Sequence, residues 1–481
     1  MSYSLILKKI SKSYLFTLLL IFLAFFLRFY KFDDVGFWGD EYLSFWLSEP
    51  YQTFNEIFLK TRSSPDLVPP FYYYLLNVYN HLFDYSAYSL RLFHIIVGSS
   101  CLVLVFFISN YLLSRSANNL VIYLLSANVF LIWCSTEARV VSVALFFQLF
   151  LIYVFFRIIK DLDKKFSLLN IILLIIFNIL ALTIHPLSIV IVSAQILFFL
   201  LLIIKNNKKS IKKNFIYIFL IISCCLIYIL INKDYFFSSL EGSRLGHNQL
   251  SLEFFIGYNF KHYFTSYILG FINLLLILLS FLKLRKKIFE NLYILYLVII
   301  FVLTYTFIIL GTTFFTGLNG QRYWSYLVPI IIIINIYYLT ELQKNKFSKI
   351  LILILILYTP INYFNNINSP QVRKPDTPGL INIINKSNIN AIVSDNYGMF
   401  EHYLKFGYKN FNKDIVSKED IININKDFWY LCLDLTWDQT KGSYWDEMYD
   451  CFPKNIKVDN HNRLESLRLN GLVITKYKFN G

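Results

Sequence analysis

The sequence is poor in charged residues. Only 16% of its 481 residues are Asp, Glu, Lys or Arg, whereas soluble domains carry roughly 25%. Hydrophobic residues make up 57% of the chain and aromatic residues 19%. This composition excludes an ordinary soluble protein, a disordered chain and a coiled coil. Six cysteines in 481 residues also exclude a small disulfide scaffold, no Cys or His group has zinc spacing, and there is no internal repeat or low-complexity tract.

The net charge of +15 raises the question of a nucleic-acid partner. Its distribution favours a membrane instead, because the basic residues gather in short segments between long apolar runs. The first such run, Tyr14 to Phe29, follows three lysines but lacks a small-residue cleavage site. We therefore expect it to stay in the membrane as a first span. Membrane lipids are predicted partners, and nucleic acid is not.

Apolar runs of this kind predict a polytopic membrane protein. We count eleven spans, at about 13–29, 90–112, 118–135, 140–157, 168–184, 186–204, 214–232, 264–282, 290–311, 322–340 and 350–364. With the N-terminus in the cytoplasm, the loops on that side hold 20 basic residues and the opposite loops hold 10. The positive-inside rule thus predicts a cytoplasmic N-terminus, and an odd span count places the C-terminus outside. The expected location is the cytoplasmic (inner) membrane of a bacterium.

Two parts of the chain do not read as spans. Residues 70–83, within the first outer loop (30–89), are apolar but too short to cross a bilayer, so we expect a helix lying in the interface. After residue 364, prolines and mixed charges indicate a linker and an outer domain, 365–481. Its segments NINAIVSD, DFWYLCLDL and GLVITKYKF resemble strands and YGMFEHYLKF a short helix, which predicts a small α/β domain. Residues 1–364 form the predicted membrane domain.

The six cysteines are divided between the predicted outer domain and the predicted spans. Cys432 and Cys451 are the two that fall in the predicted outer domain, in an oxidising compartment where disulfides persist. A disulfide between them would contribute roughly 3 kcal/mol in the chain-entropy model. Two free thiols are the alternative. The other four cysteines lie inside spans, where small apolar packing residues are expected.

Candidate chemistry gathers on the predicted outer side. Asp40 and Glu41 follow the first span, and adjacent carboxylates beside a membrane can raise the pKa of one of them; a solvated loop pair is the simpler interpretation. Asp66 leads into the interfacial helix. Glu137 and Arg139 lie at a span end, where charges pair with each other or with a ligand. His185, Arg322 and Tyr323 also lie at outer span ends, where a polar turn and a snorkelling arginine are the alternatives.

The loop from Lys233 to Tyr263 is long, glycine-containing and basic. We expect it to be a mobile cover over a phosphate site, through Arg244, His247 and Lys261. An ordinary surface loop is the alternative.

The order of these features is more specific than any one of them. The first features in order are an acidic pair after the first span and D-x-x-P-P-x-Y-Y leading into an interfacial helix. They are followed by E-A-R at the outer end of the third span, an H-P turn two spans later, and an R-Y pair near the tenth span that is followed by Pro. This set resembles the GT-C glycosyltransferases, in particular the bacterial enzymes similar to protein O-mannosyltransferases and to the aminoarabinose transferase that modifies lipid A. The resemblance covers residues 13 to 364 and, more loosely, the outer domain.

The resemblance implies the transfer of a sugar from a polyprenyl-phosphate-linked donor to a glycolipid, glycan or protein acceptor, with inversion. It implies a catalytic base at Asp40, with Glu41 beside it, and a cavity lined by Glu137, Arg139, Arg322 and Tyr323. Val68 and Val141 depart from common residues of the family, so contacts copied from relatives do not decide whether a divalent metal is needed. The residues leave open which of Asp40 and Glu41 is the base, which sugar and acceptor are used, the polyprenyl chain length and the oligomeric state.

Two other functions remain as alternatives. A polymerase or ligase of lipid-linked oligosaccharides would use similar chemistry. A lipid-linked-sugar flippase or another transporter would instead be expected to have half-repeats and ionisable groups at mid-membrane depth, whereas the charges here cluster at span ends.

Overall fold

The protein is represented by a computed structural model that describes residues 14–30, 32–63, 68–162, 164, 167–205, 211–241, 260–314, 321–342, 346–368, 374–394, 399–417, 424–433, 461–469 and 472–480. The chain divides into two compact units. The membrane unit comprises Met1–Tyr30, Phe58–Tyr72 and Phe93–Ile367. The C-terminal unit comprises Lys31–Ile57, Tyr73–Leu92 and Asn368–Gly481.

Helices account for most of the described chain. Up to residue 366 they are α1 (Tyr14–Phe29), α2 (Gly39–Leu47), α3 (Phe54–Ser63), α4 (Pro70–Leu82), α5 (Ala87–Ser109), α6 (Arg115–Ser126), α7 (Val129–Thr136), α8 (Val140–Lys160), α9 (Leu168–Ile184), α10 (Ile189–Ile204), α11 (Ile211–Glu241), α12 (Lys261–Phe264), α13 (Tyr267–Glu290), α14 (Leu292–Phe314), α15 (Leu327–Glu341) and α16 (Lys346–Asn366). Two 3₁₀ turns, Pro186–Ser188 and Gln321–Trp324, lie between them.

Every predicted span coincides with one of these helices or a pair of them. Within the described residues, seven helices are long and apolar enough to cross a membrane, with mean hydropathies from 1.7 to 2.9. The consecutive helices α6 and α7 qualify together as an eighth span, bent by 60°. The shorter apolar helices α1, α9 and α15 occupy the remaining predicted spans. The expected all-α polytopic membrane architecture is confirmed, and the protein is a multi-pass membrane protein.

The burial of the spans fits a lipid environment. Of the 18 residues that form the apolar stretch of each span, 72% are buried within the protein in α8, but only 33% are buried in α11 and in α16. So much exposed apolar surface is compatible with lipid and not with water. Buried polar pairs link neighbouring helices: Thr17 donates to Asn119 at 2.7 Å and Asn335 donates to Asn273 at 2.9 Å, as expected where the bilayer provides no hydrophobic drive for helix association.

The break between α6 and α7 was not predicted. Asn128 caps α7 by accepting from the backbone N–H of Leu131 at 2.9 Å. The buried Arg28 of α1 donates to the carbonyl of Ser126, the last residue of α6, and to the hydroxyl of Ser135 on α7, both at 3.2 Å. A cation at a helix C-terminus is favourable because it meets carbonyls without helical partners. The break therefore has its own polar partners.

The C-terminal unit contains a five-stranded mixed sheet in the order β2-β1-β3-β5-β4. Its elements are α17 (Thr377–Lys386), β1 (Ala391–Ser394), α18 (Met399–Gly407), β2 (Asp414–Ser417), β3 (Phe428–Leu433), β4 (His461–Leu469) and β5 (Leu472–Phe479). Strand β1 pairs in parallel with β2 and β3, while β5 is antiparallel to β3 and β4. The predicted small α/β domain is confirmed, including the three predicted strands and the helix, now α18.

Segments of the first loop belong to the C-terminal unit by their contacts. The N–H of Gly36 donates to the carbonyl of Pro375 at 2.6 Å, and a Cβ at Gly36 would lie 1.9 Å from the Thr377 hydroxyl oxygen. Only glycine permits this approach. The boundary near residue 365 is drawn from composition and stays a prediction.

Candidate active site

The acidic pair lies on the first turn of α2, in the C-terminal unit. The carboxylate of Glu41 accepts from the backbone N–H of Trp38, the residue before the helix, at 3.2 Å. A carboxylate at this position satisfies one of the N–H groups that the first helical turn leaves without partners. Asp40 precedes Glu41 on the same turn and is half-buried.

Glu41 is completely buried and lies between two cations. Its Oε1 is 2.8 Å from the ammonium of Lys374, and its Oε2 is 3.5 Å from the Arg91 guanidinium. Lys374 and Arg91 are buried too, at 6% and 2% exposed. Burial of a charge is costly unless it is paired and hydrogen-bonded, so this arrangement keeps Glu41 ionised and committed to its partners.

Arg91, on the first turns of α5, also binds the backbone of the first loop. Its guanidinium donates to the carbonyls of Phe32, at 3.0 Å, and of Val35 and Gly36. It also lies over the ring of Phe37, 4.8 Å from the ring centroid. One side chain thus fixes the loop that leads into α2.

An aromatic cluster packs on the same loop. The N–H of Phe37 donates to the Tyr403 hydroxyl at 2.8 Å, and that hydroxyl is 2.7 Å from the hydroxyl of Tyr408. Tyr403 stacks on Phe37 with 4.9 Å between ring centroids. Burial raises the pKa of Tyr42 and Tyr403 well above the ordinary phenol value and that of Tyr408 to about 12. These phenols therefore stay protonated at neutral pH and are not candidate bases.

The membrane unit holds the second cluster. Glu137 follows α7 and Arg139 precedes α8, so both lie in the three-residue break between the two helices. Arg322 lies in the 3₁₀ turn before α15, with its guanidinium 4.0 Å from the carboxylate of Glu137. Glu137 is 1% exposed and Arg322 is 21% exposed. The pair is therefore at the upper end of salt-bridge distances, with a buried carboxylate and a partly exposed arginine.

Tyr323 and His185 join this cluster. The Arg322 guanidinium lies 5.6 Å from the centroid of the Tyr323 ring, and the His185 ring lies 5.4 Å from the same ring. His185 caps the end of α9, before the 3₁₀ turn at Pro186. The structure therefore brings Glu137, His185, Arg322 and Tyr323 together, and places the buried Arg139 two residues from Glu137.

Other predicted residues lie elsewhere or outside the described chain. Lys261 begins α12, and its ammonium lies 3.0 Å from the Tyr267 hydroxyl. Asp66, Arg244, His247 and Cys451 fall outside the described residues, as does most of the loop expected to cover the site. Cys432 takes part in a disulfide, and Cys101, Cys134, Cys224 and Cys225 are unpaired thiols. The pairing of Cys432 with Cys451 stays a prediction.

The sequence did not reveal the roles of Arg91, Lys374 and Tyr403. In the topology prediction Arg91 was only one of the ten basic residues on the outer side, and Lys374 lies in the predicted linker. The one signal in the sequence concerned Arg91: it lies at the start of a span, where an unpaired arginine is unfavourable. Among the residues that the structure describes, no group of three or more His, Cys, Asp or Glu side chains could hold a metal ion.

Comparison with known proteins identifies the fold. No family model matches the sequence, and no curated protein matches it. Among solved structures, the apo oligosaccharyltransferase of Archaeoglobus fulgidus matches with a TM-score of 0.52 and 12% identity, over 81% of this chain and 64% of that one. The same protein in complex with Zn and sulfate matches with a TM-score of 0.50 and 11% identity, over 86% and 67% of the two chains. This chain thus spans about 64% of the length of the apo oligosaccharyltransferase.

A second neighbour is similar in length. ArnT from Cupriavidus metallidurans, bound to undecaprenyl phosphate, matches with a TM-score of 0.51 and 10% identity, over 95% of this chain and 97% of that one. Identities this low show the fold alone. The chain has the GT-C fold that the sequence resemblance implied.

Proposed function

We propose that this protein is an inverting glycosyltransferase that moves a sugar from a polyprenyl-phosphate-linked donor to a glycolipid, glycan or protein acceptor. The observation that carries the proposal is the acidic pair on α2, in which Glu41 is held by Lys374 and Arg91 while Asp40 is only half-buried. The fold supports it, because one neighbour is bound to undecaprenyl phosphate and another is an oligosaccharyltransferase.

Asp40 is the proposed catalytic base. It takes the proton of the acceptor hydroxyl as that oxygen bonds to the anomeric carbon and the bond from this carbon to the phosphate oxygen breaks, on the opposite face. A lipid phosphate leaves without being protonated, so the reaction needs one carboxylate and not the two of a glycosidase. Glu41 is unsuited to this role because its carboxylate is committed to two cations.

The cluster in the membrane unit is the proposed phosphate site. Charge builds on the departing phosphate, and the planar fork of an arginine suits a phosphate group. Arg322 is the main candidate, with Arg139 as a second cation and Glu137, Tyr323 and His185 around them. Lys261 and Arg244 as further phosphate ligands, and Asp66 and His247 as cavity residues, stay predictions from the sequence.

Transfer of a whole lipid-linked oligosaccharide is the second candidate. It is favoured by the likeness to the archaeal oligosaccharyltransferase. We prefer transfer from a phosphate-linked sugar, because this chain covers 97% of ArnT but 64% of the oligosaccharyltransferase. A transporter gains no support from the comparison, since none of the neighbours described above is named as a transporter.

A direct assay separates these functions. The full chain in nanodiscs is given labelled undecaprenyl-phosphate-linked hexoses or pentoses, or a pyrophosphate-linked oligosaccharide, with glycolipid, glycan and protein fractions from a strain lacking the gene. We expect label to move from one phosphate-linked sugar to one fraction, with release of undecaprenyl phosphate. Runs with EDTA and with added divalent metals decide the metal requirement. Transfer only from the pyrophosphate donor would support the second candidate, and no transfer from any donor would contradict both.

The proposed location is the outer face of the cytoplasmic membrane, with the N-terminus in the cytoplasm. Asn412, exposed in the C-terminal unit, when replaced by Cys should be labelled by an impermeant maleimide in intact cells whose outer membrane, if present, is permeabilised. A Cys at position 208, in the basic segment that follows α10, should be labelled only after lysis. Cys101, Cys134 and Cys224 are buried, and the partly buried Cys225 is replaced by Ala in both variants to keep the background low. Labelling at 208 with protection at 412 would reverse the orientation.

A further inference from the structure

We propose that Lys374 and Arg91 are positioning residues that act through Glu41 to hold the Asp40 carboxylate in place for proton transfer. The C-terminal domain therefore supplies part of the catalytic machinery. This inference rests on the proposed role of Asp40 as the base.

The first step of the argument is the geometry of α2. Successive residues of an α-helix project about 100° apart, since a turn contains 3.6 residues. Glu41 points to buried cations on both of its oxygens, so the rotation of the helix about its axis is fixed. The direction of Asp40 follows from it, because Asp40 belongs to the same turn.

The second step is the origin of the two cations. Arg91 comes from the start of α5 and also binds three carbonyls of the first loop. Lys374 comes from the segment before α17, where the next residue, Pro375, accepts from the N–H of Gly36. The loop is therefore held through its backbone as well as through Glu41. A small rotation of α2 would break both ion pairs at once, which makes the turn resistant to displacement.

The third step is electrostatic. Lys374 and Arg91 bring two positive charges to the carboxylate next to Asp40, and a positive charge nearby favours the ionised, proton-accepting form of a carboxyl group. The charged and titratable groups on the elements around α2 are Asp33, Asp34, Glu41, Tyr42, Tyr85, Arg91, Lys374, Asp376, Glu401, His402, Tyr403, Lys405 and Tyr408. Removal of Lys374 should move the acid limb of the pH profile to higher pH, because it removes one positive charge. His402→Gln tests whether that limb belongs to the histidine.

A purely structural ion pair would also weaken the protein when it is broken, so three variants are compared in the full chain. Lys374→Met leaves Glu41 with one cation, and Lys374→Arg restores the charge. The remaining contact of Glu41 with Arg91 leaves neither buried charge unpaired in Lys374→Met. The control is Lys409→Met, which breaks an exposed pair with Asp84 in the same unit.

With the donor that the wild-type chain uses, we expect Lys374→Met to lower kcat about 10–100-fold with little change in the donor KM. The acid limb should move up by about one pH unit. Lys374→Arg should recover most of the turnover, and Lys409→Met should stay within about twofold of the wild type. Because Glu41 keeps Arg91 as a partner, Lys374→Met should stay folded at the assay temperature. A Lys374→Met chain with the turnover and the acid limb of the wild type would overturn the inference.

Hydrogen exchange gives a readout that does not depend on the reaction. Lys374→Met should raise amide exchange over residues 37–47, and Lys409→Met should not. Unchanged exchange with unchanged kcat and acid limb would contradict the positioning role even if Asp40→Asn is inactive. If wild-type protein transfers no sugar at all, the proposed function fails, whereas raised exchange would still support the hold on α2.

Discussion

Replacing Asp40 by Asn should lower turnover by about 10²–10⁴-fold while binding of the donor survives. The amide keeps the size and hydrogen bonding of the carboxylate but cannot accept the proton of the acceptor. Stability should change little, since Asp40 is only half-buried. The measurements are single-turnover rates and binding of undecaprenyl phosphate to the full chain in nanodiscs.

The neighbouring carboxylate provides the matched control. Glu41→Gln leaves Lys374 and Arg91 buried without their anion, and breaking a buried ion pair in this way typically costs about 3–5 kcal/mol. We therefore expect this variant to lose thermal stability together with activity, unlike Asp40→Asn. If Asp40→Asn stayed near full activity and a folded Glu41→Gln were dead, the roles within the pair would be reversed. Activity in both variants would remove the enzyme proposal.

The second large effect is expected at Arg322. A lysine there keeps the charge but loses the planar fork, so donor binding and turnover should both weaken, by about 2–3 kcal/mol. The exposed Arg463 of β4 belongs to the C-terminal unit, and Arg463→Lys, which makes the same chemical change there, should behave like the wild type. Affinity for undecaprenyl phosphate, measured with and without the substitution, decides the point. A variant that binds the lipid phosphate normally would show that Arg322 is not its partner.

Hydropathy was sufficient to place the spans because burial in lipid leaves long apolar runs that need no knowledge of the fold. It could not reveal the bend between α6 and α7, since residues 118–135 are apolar across the break. The strands of the sheet differ in the same way in how well the sequence predicts them. The inner strands β1, β3 and β5 have apolar runs that can be recognised in the sequence, whereas β2 and β4 are edge strands. Edge strands are short or charged to prevent further pairing, so their pattern is weak.

Part of the candidate site could be predicted from the sequence for a related reason. Asp40, Glu137 and Arg322 stand out as charges near apolar spans, which is a local signal. The partners of Glu41 carry no such signal: Lys374 is 333 positions away along the chain. Nothing in the local sequence around residue 374 indicates that it meets a carboxylate of the first loop. Only the folded chain shows that Glu41 is paired with two cations while Asp40 is half-buried.

The distance between Glu41 and Lys374 along the chain has a consequence for biogenesis. Synthesis proceeds from the N-terminus, so Glu41 and Arg91 emerge long before Lys374. The spans that lie between residues 91 and 374 must be inserted in the interval. Until then the carboxylate has one of its two cations. A chain that stops before residue 374 therefore cannot complete the first loop, however well its helices insert. On the proposed role of Glu41, the ion pair makes the proposed transfer conditional on synthesis through residue 374, and we expect a product truncated before that residue to be inserted but inactive.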